Sequence, residues 1–179
     1  MTDKQKTVFI DRDGTLIEGV NFLHRVEDLR YFPFMDEAIR LLKENGFLVI
    51  VVTNQSGIGR KIYSENDMHA IHAKIQEDLT EKLDAIYFCP HLPNAGCACR
   101  KPNFGMIESA TADFAIDLKN SWMIGDKKLD VELGLNAGIK PILVLTGYGK
   151  KDVAKLKRKP EFVAENLLEA VKLIIENKN

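Results

Sequence analysis

Cysteine is scarce in this 179-residue chain, at three residues, an odd number. So small and odd a set builds no disulfide framework of the kind that staples small secreted domains. Charge of one sign is missing too. Lysine and arginine number 25 against 26 aspartates and glutamates, a formal net charge of −1. That balance leaves no electrostatic footprint for nucleic acid or an anionic membrane. No apolar run approaches the length of a membrane span, so neither partner is expected. There is no internal repeat and no low-complexity tract. The opening residues, MTDKQKTVFIDRD, enter an apolar stretch at once and leave no room for a signal peptide. The expected location is cytoplasmic.

What remains is ordinary globular material, 45% hydrophobic and 28% charged. A chain of this length forms one domain, residues 1–179, whose core needs no staples. Apolar, β-branched runs predict strands over 7–10, 48–53, 85–88, 121–124 and 141–145, with a short last one at 162–163. Helical patterns cover 35–45, 64–82, 104–114, 128–137 and 166–175. Gly46 and Gly138 follow two of these patterns, in the position where a left-handed residue closes a helix. Ser64 with Asp67 three residues on resembles a capping box. Strands alternating with helices at this spacing predict a mostly parallel sheet covered on both faces. Two irregular stretches, 17–33 and 89–102, are too short to be domains and suit site-building loops. The lysine-bearing segment 148–160 reads as a solvated surface stretch.

Open parallel sheets bind ligands outside the carboxyl ends of their strands, so the residues at those ends matter most. The first strand ends in Asp11 and Asp13, with Gly14 permitting a tight turn and Thr15 adding a hydroxyl. Two such acids can share a magnesium ion and a phosphate. One can attack phosphorus while the other moves protons. The second strand ends in Thr53, Asn54, Gln55 and Ser56, whose hydroxyls, amides and turn N–H groups suit phosphate oxygens. After the third come Arg100 and Lys101, then Pro102, which can open a helix. After the fourth come Gly125, Asp126 and Lys127, with Asp130 one helical turn further on. Singly, Thr53 reads as a turn residue, Asp126 as a helix cap and Lys101 as a solvated lysine. Together, in order and each at a strand end, they describe a metal–phosphate site.

This set resembles the haloacid dehalogenase superfamily of phosphohydrolases. The matches are D-x-D-G-T at 11–15, Thr53, Lys101 and G-D-x-x-x-D at 125–130, spread over most of the chain. The resemblance implies a Rossmann-like three-layer sandwich and a magnesium-dependent, two-step phosphoryl transfer. On it, Asp11 is the nucleophile that forms an aspartyl-phosphate. Asp13 protonates the leaving alcohol and then deprotonates the attacking water. Asp11, Asp126 and the Asp13 backbone carbonyl hold magnesium. Thr53 and Lys101 hold the phosphoryl oxygens, and Asp130 supports them.

All three cysteines and one of the four histidines fall in a single short loop, as Cys89, His91, Cys97 and Cys99. A closed Cys₃His tetrahedron suits structural zinc, although the C-x-H and C-x-C spacings are not those of a finger module. Residues 92–96 offer few apolar anchors, so ordering them costs backbone entropy that a zinc ion would offset. Free thiols beside a surface histidine, or a strained Cys97–Cys99 disulfide, are the other readings.

C-P-H at 89–91 with C-x-C-R-K-P at 97–102 resembles the zinc-bearing, minimally capped branch of the superfamily. Members of that branch act on heptose 1,7-bisphosphate, removing the C7 phosphate, or on histidinol phosphate. GVNFLH at 19–24 followed by Glu27, Asp28 and Leu29 is more similar to the heptose members. The resemblance implies substrate contacts at Gly19, Val20, Asn21, Phe22, Asn54, Gln55, Ser56, Arg100 and Lys127. Arg100 suits a second phosphate through its bidentate fork. His24 fits a structural or sugar-contact role, and His69 and His72 fit surface or packing roles. The expected partner is a small sugar phosphate, and the expected state a monomer. Histidinol phosphate would want an acidic subsite near Arg100, and a polynucleotide 3′-phosphatase a basic track. A phosphoacceptor signalling module must keep its acyl phosphate, where Asp13 is out of place. An inactive zinc-dependent binding module is at odds with the filled catalytic positions.

Overall fold

The computed structural model describes residues 4–177. Six strands form one parallel sheet: β1 (Thr7–Ile10), β2 (Leu48–Asn54), β3 (Ala85–Cys89), β4 (Trp122–Gly125), β5 (Lys140–Val144) and β6 (Phe162–Ala164). Their order is β3-β2-β1-β4-β5-β6, with every pairing parallel. The helices are α1 (Met35–Glu44), α2 (Ser56–Gly59), α3 (Glu65–Asp78), α4 (Gly105–Asp113), α5 (Lys128–Asn136), α6 (Gly149–Asp152) and α7 (Leu167–Glu176).

Successive strand residues point to opposite faces, and the two sides of the sheet accordingly bury two cores. Val8, Ile10, Val49, Val51 and Ile124 pack with Ala38, Leu42, Ile71, Val171 and Ile174 of α1, α3 and α7. Phe9, Ile50, Val52 and Met123 pack with Met106, Ile107, Ala110 and Leu133 of α4 and α5. The three-layer expectation therefore holds. Chain direction across the sheet reverses between β1 and β4, so a crevice opens where Asp11 and Asp126 emerge, as the switch-point rule requires.

Local signals decide most element ends. Gly46 and Gly138 adopt φ +79° and +70°, and Ser64 with Asp67 forms the capping box. Four expectations are corrected. The helix expected over 64–82 stops at Asp78, because the chain turns there to bury Leu79 and Leu83. Ser121 lies outside β4, its Oγ taken by the Thr7 N–H at 2.9 Å and donated to the Asp117 carbonyl. Helix α4 starts at Gly105, so Pro102 does not open it. The 148–160 segment is not all solvated, since Gly149 and Asp152 are buried and Asp152 accepts from the Lys128 N–H at 2.9 Å. No helix among the described residues is long and apolar enough to cross a membrane.

Candidate active site

Asp11 leaves β1 with its backbone N–H on the Ile124 carbonyl of β4. Its side chain is buried, and Oδ1 lies 2.6 Å from Lys101 Nζ. That ammonium also donates to the Val52 carbonyl at 3.0 Å and forms an ion pair with Asp130 Oδ1 at 2.7 Å. Lys101 thus ties the ends of β1 and β2 to the first turn of α5. Thr53 is buried at the end of β2, and its hydroxyl accepts from Gln55 Nε2 at 2.8 Å.

Asp126 follows β4 and is fully buried. Its Oδ2 accepts the Tyr148 N–H at 2.7 Å. The turn carrying Tyr148 also sends Thr146 Oγ1 to the Gly14 carbonyl at 2.7 Å. Gly14 and Gly147 have φ +89° and +51°, and a methyl group on either would strike Asp126 Oδ2. Only glycine fits there, because the backbone is left-handed and the carboxylate touches it.

Three buried carboxylate oxygens, Asp11 Oδ2, Asp126 Oδ1 and Asp130 Oδ1, have no hydrogen-bond partner among the described residues, nor does Thr15 Oγ1, although Asp130 Oδ1 lies within ion-pair distance of Lys101. Ligand atoms of Asp11, Asp126 and Asp130 all lie within 4.8 Å of one another. Burial alone would raise the Asp11 pKa, but Lys101 and Lys127 hold it below the ordinary carboxylate value. Burial pushes Asp126 up to about 8, with Asp11 and Asp130 adding repulsion and Lys127 opposing. Crowded, unpartnered hard oxygens of this kind fit a divalent cation that takes oxygen ligands.

A cavity of about 580 Å³ opens above this cluster. Its wall includes Asp13, Gly19, Val20, Asn21, Phe22, Asn54, Gln55, Ser56, Arg100 and Lys127, all singled out by sequence. Asp11, Thr53, Lys101, Asp126 and Asp130 are buried behind it. The wall also includes Arg12, Tyr63, Leu129, Tyr148 and Lys151, which sequence reasoning missed. Lys127 Nζ sits 5.2 Å from the Tyr148 ring centroid, a cation–π contact that holds the lysine over the opening. Asn54 and Gln55 are tied down. Asn54 Oδ1 accepts the Lys101 N–H at 3.1 Å. Gln55 Nε2 donates to Asp13 Oδ2 at 2.9 Å, and Gln55 Oε1 accepts from the Tyr63 hydroxyl. His24 stacks on Tyr63 with ring centroids 5.8 Å apart. His72, read from sequence as surface or packing, is buried with Nε2 3.0 Å from Arg12 Nη1.

Cys89, His91, Cys97 and Cys99 converge beside the cavity. Cys97 Sγ lies 3.6 Å from Cys89 Sγ and from Cys99 Sγ, and His91 Nδ1 lies 3.2 Å from Cys99 Sγ and 3.6 Å from Cys89 Sγ. Thiolates about 2.3 Å from a tetrahedral ion sit about 3.8 Å apart, so the cage is close to the dimensions zinc requires. The Cys97–Cys99 separation of 3.6 Å is far beyond a disulfide bond, and all three cysteines are free. Burial works against ionising Cys97, but the Arg100 N–H and the neighbouring thiols bring it down to about 7.

A profile of the HAD-hydrolase-like family matches residues 98–170. The D-glycero-D-manno-heptose-1,7-bisphosphate 7-phosphatase of Thermosynechococcus vestitus is 40% identical, across 93% of this chain and 94% of the relative. The D-glycero-beta-D-manno-heptose-1,7-bisphosphate 7-phosphatase of Haemophilus ducreyi is 36% identical, across 93% of this chain and 97% of the relative. Among solved structures, the D,D-heptose 1,7-bisphosphate phosphatase of B. bronchiseptica, complexed with magnesium and phosphate, superposes with a TM-score of 0.90 at 31% identity. That match covers 96% of this chain and 99% of the other.

Proposed function

The chain belongs to the haloacid dehalogenase-like phosphatase family, and from that premise we propose that it removes the C7 phosphate of D-glycero-D-manno-heptose 1,7-bisphosphate. The observation that carries this reading is the pair of unpartnered, buried oxygens, Asp11 Oδ2 and Asp126 Oδ1. They lie under a cavity whose rim holds Arg100, Lys127 and Lys151. One end of that arrangement suits a cation and a reacting phosphate. The other supplies basic groups for a second phosphate, as a bisphosphate needs and histidinol phosphate does not.

Asp11 attacks phosphorus as the bond from phosphorus to the sugar oxygen breaks, and Asp13 gives its proton to that oxygen. Asp13 then takes a proton from water as the water attacks the aspartyl-phosphate. The bond from phosphorus to the Asp11 oxygen breaks, freeing Asp11 and inorganic phosphate. Thr53 and Lys101 hold the phosphoryl oxygens, a preorganised field of the kind phosphoryl transfer depends on. Lys101 is kept charged for this by Asp11 and Asp130, which outweigh its burial. Magnesium, held by Asp11, Asp126 and the Asp13 backbone carbonyl, supplies neutralisation of phosphate charge. Asp130 anchors Lys101. Residues 19–22, Asn54, Gln55, Ser56, Arg100 and Lys127 contact substrate, and Asn54 and Gln55 also brace Lys101 and Asp13.

Zinc at Cys89, His91, Cys97 and Cys99 belongs to the same reading as a structural ion, supported by the cage dimensions. A monomer is supported by a cavity complete within one chain. Cysteines outside any disulfide support a reducing, cytoplasmic location.

A phosphate-release panel with magnesium tests the assignment, using both anomers of heptose 1,7-bisphosphate, histidinol phosphate and a 3′-phosphorylated oligonucleotide. One heptose anomer is expected to exceed the last two substrates by at least about 100-fold in kcat/KM, as differential transition-state binding requires. Comparable rates on all four would remove the sugar assignment.

A further inference from the structure

The proton carrier Asp13 sits on the cavity wall, and a buried polar chain holds it from behind. Arg12 is only 1% exposed. Its Nε donates to Asp13 Oδ2 and its Nη2 to Asp13 Oδ1, both at 3.1 Å. The remaining nitrogen, Nη1, lies 3.0 Å from His72 Nε2 on α3. A guanidinium only donates, so Nε2 accepts and the imidazole is neutral, with its proton on Nδ1. Burial and the Arg12 charge favour that neutral form, lowering the His72 pKa to about 3. Gln55 Nε2 adds a further hydrogen bond to Asp13 Oδ2 at 2.9 Å.

Counting lone pairs separates the two Asp13 oxygens. Each carboxylate oxygen accepts about two hydrogen bonds. Oδ2 receives two, from Arg12 Nε and Gln55 Nε2, whereas Oδ1 receives one, from Arg12 Nη2. The fold gives no reason of its own for this chain. Buried ion pairs seldom add stability over apolar residues of the same volume, and an arginine side chain rigidly forked to one carboxylate fixes an orientation instead.

We propose that Arg12, seated on His72, is the positioning residue of Asp13, and that it presents Oδ1 as the oxygen that gives and takes the proton. The inference rests on the reading of Asp13 as proton carrier. His72 fixes the guanidinium plane, Arg12 fixes the carboxylate plane, and Gln55 closes off the second oxygen. Helix α3 thereby reaches the chemistry without touching substrate.

The test compares first-turnover release of alcohol from a sugar phosphate with that of p-nitrophenolate from p-nitrophenyl phosphate, a leaving group that departs without a proton. Four variants are compared with the unaltered enzyme: Arg12→Gln, His72→Leu, His72→Gln and Asp13→Asn. Arg12→Gln and His72→Leu are expected to lose about 100-fold on the sugar phosphate, the usual worth of general acid catalysis. On the aryl ester they lose less than about tenfold, with KM for the sugar phosphate little changed. His72→Gln keeps an acceptor for Nη1 and recovers most of the loss seen in His72→Leu. Equal losses on both substrates in Arg12→Gln and His72→Leu, with Asp13→Asn still selective, would overturn the positioning role and leave the Asp13 reading intact. An unselective Asp13→Asn would overturn that reading itself. Should Arg12→Gln fail to fold, the two His72 variants decide alone: identical behaviour of leucine and glutamine ends the proposal.

Discussion

Asp11, Asp126 and Asp130 are buried where two strands and a helix meet, whereas Cys89, His91, Cys97 and Cys99 come from a stretch whose residues 91–96 are all exposed. The carboxylates are placed by the sheet: β1, β4 and α5 are fixed by two apolar cores before any ion arrives. Cys89 is buried in the core on the α4 side at the end of β3, and Cys97 and Cys99 pack against that core, but the exposed residues between them have no such anchor. In the first cluster the fold makes the site. In the second, the ion we propose makes the loop. The two are joined, because Arg100 Nη1 donates to the His91 carbonyl at 3.2 Å and the Lys101 N–H to Asn54 Oδ1. Loop order therefore reaches the rim, while the floor has its own supports.

The contrast breaks most visibly at Asp11. With the sheet holding the floor, Asp11→Ala is expected to lower kcat by about 10⁴-fold or more, the scale seen when a nucleophile is deleted. Lys101 stays paired with Asp130, so the thermal midpoint should move little beside that loss. Phosphate release and thermal unfolding measured on one preparation check both halves. A variant that hydrolysed its substrate at the original rate would sink the covalent mechanism, and one that failed to fold would show that the floor is not independent of the nucleophile.

Next in size is the loop. Cys97→Ser is expected to bring zinc from one equivalent to near zero and to expose residues 90–99 to hydrogen exchange. Losing the hold on Arg100 should raise KM for a bisphosphate roughly tenfold or more, the worth of a charge-assisted hydrogen bond. A monophosphate should suffer less, because Lys101 keeps its own partners. Metal analysis at full occupancy in the variant would refute the four-ligand cage. Equal damage to both substrates would mean that the loop supports the floor as well as the rim.

Much of this was legible in the sequence, for a physical reason. Strand ends in a parallel sheet converge, so Asp11, Thr53 and Asp126, together with Lys101 on the loop that follows β3, could be gathered without knowing any distance between them. The Cys and His ligands are neighbours in the chain, so their clustering is local. What stayed hidden depends on contacts across the chain. Arg12 meets a histidine 60 positions away, and neither residue type in its own segment signals the other. Gln55 reads as a turn amide until Tyr63 and Asp13 claim its atoms. Helix α2 is a single turn containing two glycines, too short to carry a period. Tyr148 and Lys151 lie in a lysine-rich stretch that looks solvated until the Tyr148 N–H is found on Asp126.

The smallest effect separates the two regions by their response to acid. His72 has a folded pKa near 3 against 6.5 for the free side chain. A depressed folded value means that its contribution is fully present above pH 6.5. It is lost as the pH falls toward 3, because the unfolded chain takes up a proton that the folded chain refuses. By pH 5.5 the loss from this one group is on the order of 1 kcal/mol. Acid also protonates zinc ligands, so a bare pH profile would mix loop and floor. Comparing urea unfolding of the unaltered protein with His72→Gln, at pH 7.5 and 5.5 and with bound zinc followed throughout, isolates the histidine. The two proteins should differ in their pH dependence by that amount while zinc stays equal between them. Identical pH dependence would place the acid sensitivity in the thiol loop, and the buried Arg12–His72 contact would then contribute nothing to it.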